Sequence, residues 1–391
     1  MAAVFGLDCQ INYTVTLLQE LDYANSPVLV SPLYLTFSVI FAYAFSAGNT
    51  FEESISFLTC IPDDQKVPSY NSTQETFANA IQGFTGMDSE IFAQLGLRLL
   101  PILSEDLKKT GKKAHRLDFK SSEAVQSVNK MIANMTNQRI TQIVNTLNPD
   151  TASVLLMDST FEDKWKVKFN EPKNGTFYVN ATTKKTIPML QQTSAEFGYL
   201  ETEHFHALRL PFDDNSAHKK NCVMDTNRTK RKHKCSKNEK GSLYFLVFLP
   251  QKRFGLPEAL DNLKGSTIRK LMQTNNSKID LTLPSFDLEH TTTFDHQLRK
   301  IGVKKLFDPK KADIPKMFSE RVYAGGFTQK IQFKINSTGN DIVMGTADQM
   351  ILQKRSKRAA YKKIEVDEPF VYMVYHDFTN ASPILYAGIF H

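Results

Sequence analysis

The residues best suited to chemistry are cations. Lys354, Arg355, Ser356, Lys357 and Arg358 stand together inside a stretch, Asn336 to Phe370, that has few large apolar side chains. Arg355-x-Lys357-Arg358 is an array that furin-like convertases read through acidic pockets, and Arg355–Ser356 suits a trypsin-like enzyme. The chemistry on offer is that of bait: a scissile bond, Arg358–Ala359 or Arg355–Ser356, shown to a protease. A solvated basic loop with no cognate protease is the competing reading. A second basic run, 217–240, carries Lys230, Arg231, Lys232 and Lys234, which would attract a glycosaminoglycan or another polyanion; a disordered solubilising insert competes. Cys222 and Cys235 lie in that run and could close a disulfide in an exported protein, with free thiols or zinc as alternatives. His204 and His206 would share one face of a strand, but no third ligand is in register, so no metal is expected.

Catalytic motifs are missing. The chain has no G-x-S-x-G elbow, P-loop, G-x-G-x-x-G or H-E-x-x-H, and no nucleophile can be set beside a base. Neither an enzyme nor a cofactor is expected. With 391 residues, 41% hydrophobic and 23% charged, the chain can bury a sizeable core. The net charge of +7 concentrates in the two basic runs, which suggests local anionic partners and no nucleic-acid face. No apolar run is long enough for a membrane span. MAAVFGLDCQINYT lacks the basic and apolar regions of a secretory signal. Against a cytoplasmic reading stand nine N-x-S/T sequons, at Asn12, Asn71, Asn134, Asn174, Asn180, Asn227, Asn275, Asn336 and Asn380. The expectation is an extracellular or secretory-pathway glycoprotein, with the cytoplasm as the alternative.

The elements that must position the basic stretch follow from periodicity. Asp8–Ala24 has helical spacing. Ser31 is an N-cap with Pro32 at the first helical position, opening a helix over Leu33–Ala47 that is apolar nearly all round and therefore buried. Thr50-x-x-Glu53 reads as a capping box. Gln74–Gln82, ended by Gly83, Ser89–Thr110, interrupted by Pro101, Ser121–Met135 and Thr136–Leu147 read as helical. From Thr151 onward strands dominate: Phe177–Val179, Thr186–Met189, Phe197–Tyr199, His206–Leu210, Leu243–Leu249, Ile279–Leu283, Gln329–Ile335 and Phe370–Tyr375, with short helices at Gly255–Leu263 and Thr292–Ile301. Helices and strands are segregated, so the class is α+β. No linker splits the chain, and one domain, 1–391, is expected.

Six blocks carry a resemblance: SPLYLTFSVIFAYAFSAGNTFEES (31–54), SVNKMIANMTNQRITQIV (127–144), FEDKWKVKF (161–169), the strands LRLPF (208–212) and YFLVFLP (244–250), IDLTLPSFDLEHTTTFDHQLRKIGVKKLFDPKKADI (279–314), and EVDEPFVYMVYHDFTNASPILYAGIF (365–390). In this order and spacing the sequence resembles the serpin family along almost its full length. The resemblance implies a three-sheet α+β fold with about nine helices and an exposed reactive-centre loop, here about 337–364. It implies a monomer whose partner is a target serine protease, held as a covalent acyl-enzyme while the cut loop enters the main sheet as a new strand.

The same resemblance assigns a loop hinge to Gly339, Asn340, Asp341 and Ile342. On insertion Asn340, Ile342, Met344 and Thr346 would face inward, and Asp341, Val343, Gly345 and Ala347 outward. It assigns a sheet-opening region to Trp165, Ser31, Tyr34 and Gln329. Here Tyr34 stands for the family's second serine, Gln329 for its histidine, and Met157 for the asparagine ahead of the tryptophan. The hinge is bulkier than the small residues of inhibitory members, and the loop is about five residues longer than usual. Two functions follow: a serine-type endopeptidase inhibitor acting by loop insertion, or a non-inhibitory binding, carrier or chaperone-like protein.

Overall fold

The computed structural model describes residues 7–59, 87–109, 114–159, 164–213, 242–339, 361–377 and 383–391. In chain order the elements are α1 (Leu7–Gln19), β1 (Val28–Val30), α2 (Pro32–Phe45), α3 (Gly48–Thr59), β2 (Met87–Gln94), α4 (Pro101–Lys109), β3 (His115–Leu117), α5 (Glu123–Met135) and β4 (Ser153–Ser159). There follow β5 (Lys173–Tyr178), β6 (Lys184–Glu201), β7 (Phe205–Pro211), β8 (Ser242–Pro250), α6 (Leu256–Asp261), α7 (Gly265–Gln273), β9 (Asn276–Pro284) and β10 (Phe286–Thr293). The chain closes with α8 (Asp295–Lys300), a 3-10 turn (Lys305–Phe307), β11 (Thr328–Ile335), β12 (Lys362–Glu365), β13 (Phe370–Asp377) and β14 (Ile384–Phe390). The class is α+β, with eight α-helices among the described residues. Among the described residues three sheets form: β1-β14-β13-β8-β7-β6-β9-β12 with β5 added on β6, the pair β10-β11, and β3-β2-β4.

The chain divides into two compact units, each drawn from three stretches. The first takes 1–20, 30–161 and 289–332. Its α2 is built as its composition requires: Ser31 caps it by accepting the Tyr34 N–H at 3.3 Å, Pro32 opens it, and most of its residues are buried. α1 packs beside α3, with the Tyr13 and Phe57 rings 5.0 Å apart and Tyr13 Oη 2.8 Å from Thr36 Oγ1. The expected capping box does not form. α3 already starts at Gly48 (φ +49°), and the two side chains serve tertiary contacts. Thr50 Oγ1 accepts the Asp313 N–H at 3.0 Å, and Glu53 accepts the N–H groups of Lys304 and Lys305 at 2.8 and 2.7 Å.

Two helical expectations in this unit are corrected. The part of Ser89–Thr110 before the expected break at Pro101 is not helical: 87–94 is strand β2, central between β3 and β4, and the helix is 101–109. A central strand is buried on both faces, so Ile91, Phe92 and Ala93 lose the alternation that marks a strand in sequence. Thr136–Leu147 does not extend α5, because Asn137 (φ +49°) and Gln138 (φ +66°) turn the chain out of the helix. Asn129 then catches the returning segment, donating to Val144 O at 2.8 Å and accepting from the Ile143 and Val144 N–H groups at 2.9 and 3.1 Å. Ile140, Ile143, Val144 and Leu147 pack there on a core of Phe92, Phe119, Val128, Ile132 and Leu156.

The second unit takes 21–29, 162–288 and 333–391. The stretches expected as separate strands at Thr186–Met189 and Phe197–Tyr199 are one strand, β6, of 18 residues. It is bent at Ser194 (φ +55°), where its register on β9 shifts between Gln192 and Ala195. Such a bulge lets one strand serve two directions of the sheet. β13 is buried from Phe370 to His376, as a strand covered on both faces must be. Phe245, Phe286, Phe333, Tyr372 and Phe390 form an aromatic core with ring centroids 4.8 to 6.5 Å apart. Gly198 is required where it stands: a Cβ would lie 2.8 Å from Arg209 Nε. That close approach lets the Arg209 guanidinium cap the end of α7, donating to Leu271 O, Met272 O and Thr274 O.

Candidate functional site at the two ends of the basic stretch

The proximal end begins where β11 stops. Asn336–Gly339 closes on itself: the Asn336 N–H donates to Gly339 O at 3.0 Å and the Gly339 N–H returns to Asn336 O at 3.3 Å. The Asn336 carboxamide oxygen fastens the turn, accepting Thr338 N–H (2.9 Å), Thr338 Oγ1–H (2.9 Å) and Gly339 N–H (3.0 Å). Gly339 takes φ +131°, a conformation that favours glycine. The turn is docked on the segment at 164–169 by backbone bonds. Trp165 N–H donates to Thr338 O at 3.0 Å, and Phe169 N–H to Ser337 O at 3.1 Å. The indole Nε1–H adds a bond to Asn336 O at 2.8 Å. Trp165 is 3% exposed and lies flat on Phe212, centroids 4.6 Å apart and planes 9° off parallel. The indole is therefore held by stacking as well as by its hydrogen bond.

The distal end is held differently. β12 runs parallel to β9, Lys362–Glu365 against Ile279–Thr282. Lys362 Nζ pairs with the Glu201 carboxylate and lies 4.3 Å above the Tyr199 ring. Tyr199 Oη reaches Glu201 Oε2 at 3.1 Å and His206 Nδ1 at 2.8 Å, and Gln251 Nε2 donates to Glu201 Oε1 at 3.3 Å. Lys362 first, then Gln251 and Tyr199, hold the Glu201 carboxyl down at about 2. Past β12, Arg253 grips Asp367 with two bonds at 3.1 and 3.3 Å and stacks 4.6 Å over Tyr178. Glu368, 4% exposed, accepts the Phe254 N–H at 2.6 Å and so holds that residue at φ +58°. Burial pushes the Glu368 carboxyl up, only partly offset by the Phe254 N–H and Arg253.

Of the expected sheet-opening residues, Ser31, Tyr34 and Gln329 come together in the first unit. Gln329 Oε1 accepts the Ser31 N–H at 2.9 Å and Gln329 Nε2 donates to Ser31 O at 2.8 Å. The glutamine amide thus pairs with one residue's backbone as a neighbouring strand would. Tyr34 is buried one turn on, its N–H on Ser31 Oγ. Trp165 belongs to the second unit, at the proximal turn. Gly339 is the one expected hinge residue inside the described set. Asn340, Asp341, Ile342, the scissile candidates Arg355, Ser356, Arg358 and Ala359, the basic cluster Lys230, Arg231, Lys232 and Lys234, and Cys222 with Cys235 lie outside it.

Sequence reasoning singled out neither distal cluster. Lys362 and Glu201 are 161 residues apart, and Arg253 and Asp367 are 114 apart, with no local pattern joining them. Asn336 reads in sequence only as a sequon; its place three residues before a glycine was the available signal for a side-chain-closed turn. Among the described residues no group of three or more His, Cys, Asp or Glu could hold a metal, and His206 is engaged with Tyr199. No helix among them is long and apolar enough to cross a membrane. Cys9 is disulfide-bonded.

The family model described as Serpin (serine protease inhibitor) matches residues 9–390. Serine protease inhibitor 88Ea of Drosophila melanogaster is 23% identical, covering 97% of this chain and 89% of its own. The human leukocyte elastase inhibitor is 21% identical, covering 94% of each. Among solved structures, the thermophilic serpin tengpin in its native state superposes with a TM-score of 0.77 at 15% identity, over 99% of this chain and 93% of that one. Human thyroxine-binding globulin, complexed with thyroxine, superposes with a TM-score of 0.78 at 16% identity, over 99% and 98%. With the family model spanning nearly the whole chain and the α+β three-sheet architecture in place, this protein belongs to the serpin family.

Proposed function

We propose that the chain is a suicide substrate for serine proteases of trypsin-like or furin-like specificity, cut after Arg358 or Arg355. The protease serine oxygen attacks the arginine carbonyl. The ester forms, the peptide bond to Ala359 (or Ser356) breaks, and the new amine leaves with its proton. The proximal part of the cut loop then joins the sheet as a strand and carries the acyl-enzyme with it.

The observation that carries this reading is the backbone pairing of Ser337 and Thr338 with Phe169 and Trp165. The first residues of the loop already accept backbone hydrogen bonds from the segment at 164–169 and make one isolated antiparallel bridge with it, Lys164 to Gly339. Further insertion extends bonds of the same kind. The distal ion pairs hold the other end of the loop while the proximal end moves.

A second reading is kept because of one feature: the turn that Asn336 closes. Residues 336–339 must straighten to insert, and a turn that opens slowly leaves the protein a plain substrate, with a binding, carrier or chaperone-like role. Mixing the protein with trypsin-like and furin-like enzymes on denaturing gels separates the two. A band at the summed mass supports inhibition, whereas clean cleavage at the basic cluster without that band sinks it. The remaining assignments go with the first reading: a monomer, a single serpin domain over 1–391, a polyanion contact at Lys230–Lys234, and export. The disulfide at Cys9 supports export, since such bonds persist in oxidising compartments.

A further inference from the structure

We infer that Asn180 is an acceptor of an N-linked oligosaccharide. The hairpin joining β5 to β6 carries the sequon Asn180–Ala181–Thr182 at its tip, where every residue from Asn180 to Lys184 is exposed. The turn is made by the sequon itself. Asn180 Oδ1 accepts Thr182 N–H at 3.0 Å, Thr183 N–H at 2.8 Å and Thr182 Oγ1–H at 2.9 Å. The hydroxyl therefore rests on the carboxamide oxygen of its own acceptor asparagine. It draws electron density from the amide and eases loss of a proton from Nδ2. These contacts span four residues and need no tertiary fold, so a chain still emerging into the secretory lumen can make them. The co-reactant is a lipid pyrophosphate-linked oligosaccharide. Asn180 Nδ2 bonds to the sugar C1, the C1–O bond to pyrophosphate breaks, the lipid pyrophosphate leaves and Nδ2 gives up one proton.

The other described sequons set this one apart. Thr14, of the Asn12 sequon, is wholly buried. Thr136, of the Asn134 sequon, is 1% exposed and donates its hydroxyl to Ile132 O at 2.8 Å. The Asn336 sequon has the same hydroxyl-on-carboxamide geometry, but it is docked on Trp165. Asn174, on β5, and Asn275, just before β9, are exposed without such a turn. The Cys9 disulfide points independently to the compartment where this transfer occurs. A purpose follows from topology. Among the described residues β5 pairs as a strand only with β6, and on its other edge only the Tyr178 N–H is seen bonded, to Asp367 O. A glycan at the tip covers that edge against a strand from a second molecule. It also stands two residues from Tyr178, whose N–H is held by Asp367 O at 2.7 Å beside the distal anchor.

The test is to express the full chain behind an export leader in eukaryotic cells and read both secreted and retained material. Peptides are treated with an amidase that releases the glycan and converts the Asn that bore it to Asp. The expected result is conversion at Asn180 in most chains, and loss of one glycan's mass on gels for both Asn180→Gln and Thr182→Ala. A chain with its Cys9 disulfide intact and an unmodified Asn180 overturns the inference. So does a gel mass unchanged in both variants. Since the readout is mass alone, failure to inhibit a protease does not bear on it.

Discussion

The two ends of the basic stretch are fastened by different physics. At the proximal end backbone-to-backbone bonds stand beside a carboxamide that closes a turn and an indole N–H on a carbonyl, with no ion pair among them. At the distal end a short parallel ladder is reinforced by side-chain ion pairs, Lys362–Glu201 and Arg253–Asp367, and by a buried carboxylate on a strained residue. Backbone bonds can be exchanged for other backbone bonds at little net cost, which is what a segment that must become a strand requires. Specific side-chain pairs can be re-formed only with the same partner. On the proposed mechanism the proximal end is the one to be traded and the distal end the one to stay.

The largest effect that would blur this contrast is loss of Trp165. Trp165→Ala leaves a cavity beside Phe212 and Phe245 and should cost about 3–5 kcal/mol in chemical denaturation. Trp165→Phe keeps most of the packing, removes only the bond to Asn336 O, and should cost about 1 kcal/mol. If Phe were as damaging as Ala, the indole N–H and not packing would be what docks the turn.

Glu368 comes next. Glu368→Ala leaves the Phe254 N–H unpaired at a positive φ and should destabilise by about 1–3 kcal/mol. Glu368→Gln keeps an acceptor and removes a charge that burial disfavours. The folded carboxyl titrates above its unfolded value. Its contribution is therefore fully present below the unfolded value and is lost as pH rises through the folded one. The stability gap between Glu368→Gln and wild type should thus move in favour of Gln as pH is raised from 4 to 7, measured by urea titration.

Asn336→Ala should be milder, about 1 kcal/mol in stability, yet should speed insertion, read as a larger share of SDS-stable complex relative to cleaved chain. Asn336→Asp retains the acceptor and should behave as wild type. The smallest change belongs to Glu201→Gln. Glu201 and Lys362 are both about half exposed and screened by solvent. The folded Glu201 carboxyl lies at about 2, below its ordinary 4.5. Its contribution is present above 4.5 and lost as pH falls toward 2. Melting curves of wild type and Glu201→Gln should differ slightly at pH 7 and converge at pH 2. A gap that persists at pH 2 would assign the effect to packing.

Much of the proximal end was legible in the sequence. Trp165 stood out within FEDKWKVKF, β11 alternated, and the resemblance marked Gly339 as a hinge, though not the turn at φ +131° that it makes. The Ser31–Pro32 start of α2 was equally plain, because cap and first turn are neighbours in sequence. What could not be read were pairings across long loops, such as Glu201 with Lys362, since charge on a strand says nothing of which distant charge it meets. β2 was misread as helix because a strand buried on both faces has no period of two. The turn at 137–138 was missed because it depends on Asn129 catching the chain, and helical spacing continues through it regardless. The Gln329–Ser31 pairing was unforeseen for a similar reason, being made by an amide acting as a strand edge.

Thermal unfolding of intact and loop-cleaved protein tests the traded-end account most directly. Trypsin nicks the chain at the basic cluster, and the melting temperature is compared before and after. If the proximal segment leaves the turn at Asn336 and enters the sheet, the cleaved protein gains strand hydrogen bonds and melts well above the intact one. Equal melting temperatures, with cleavage confirmed after Arg358 or Arg355, would contradict it.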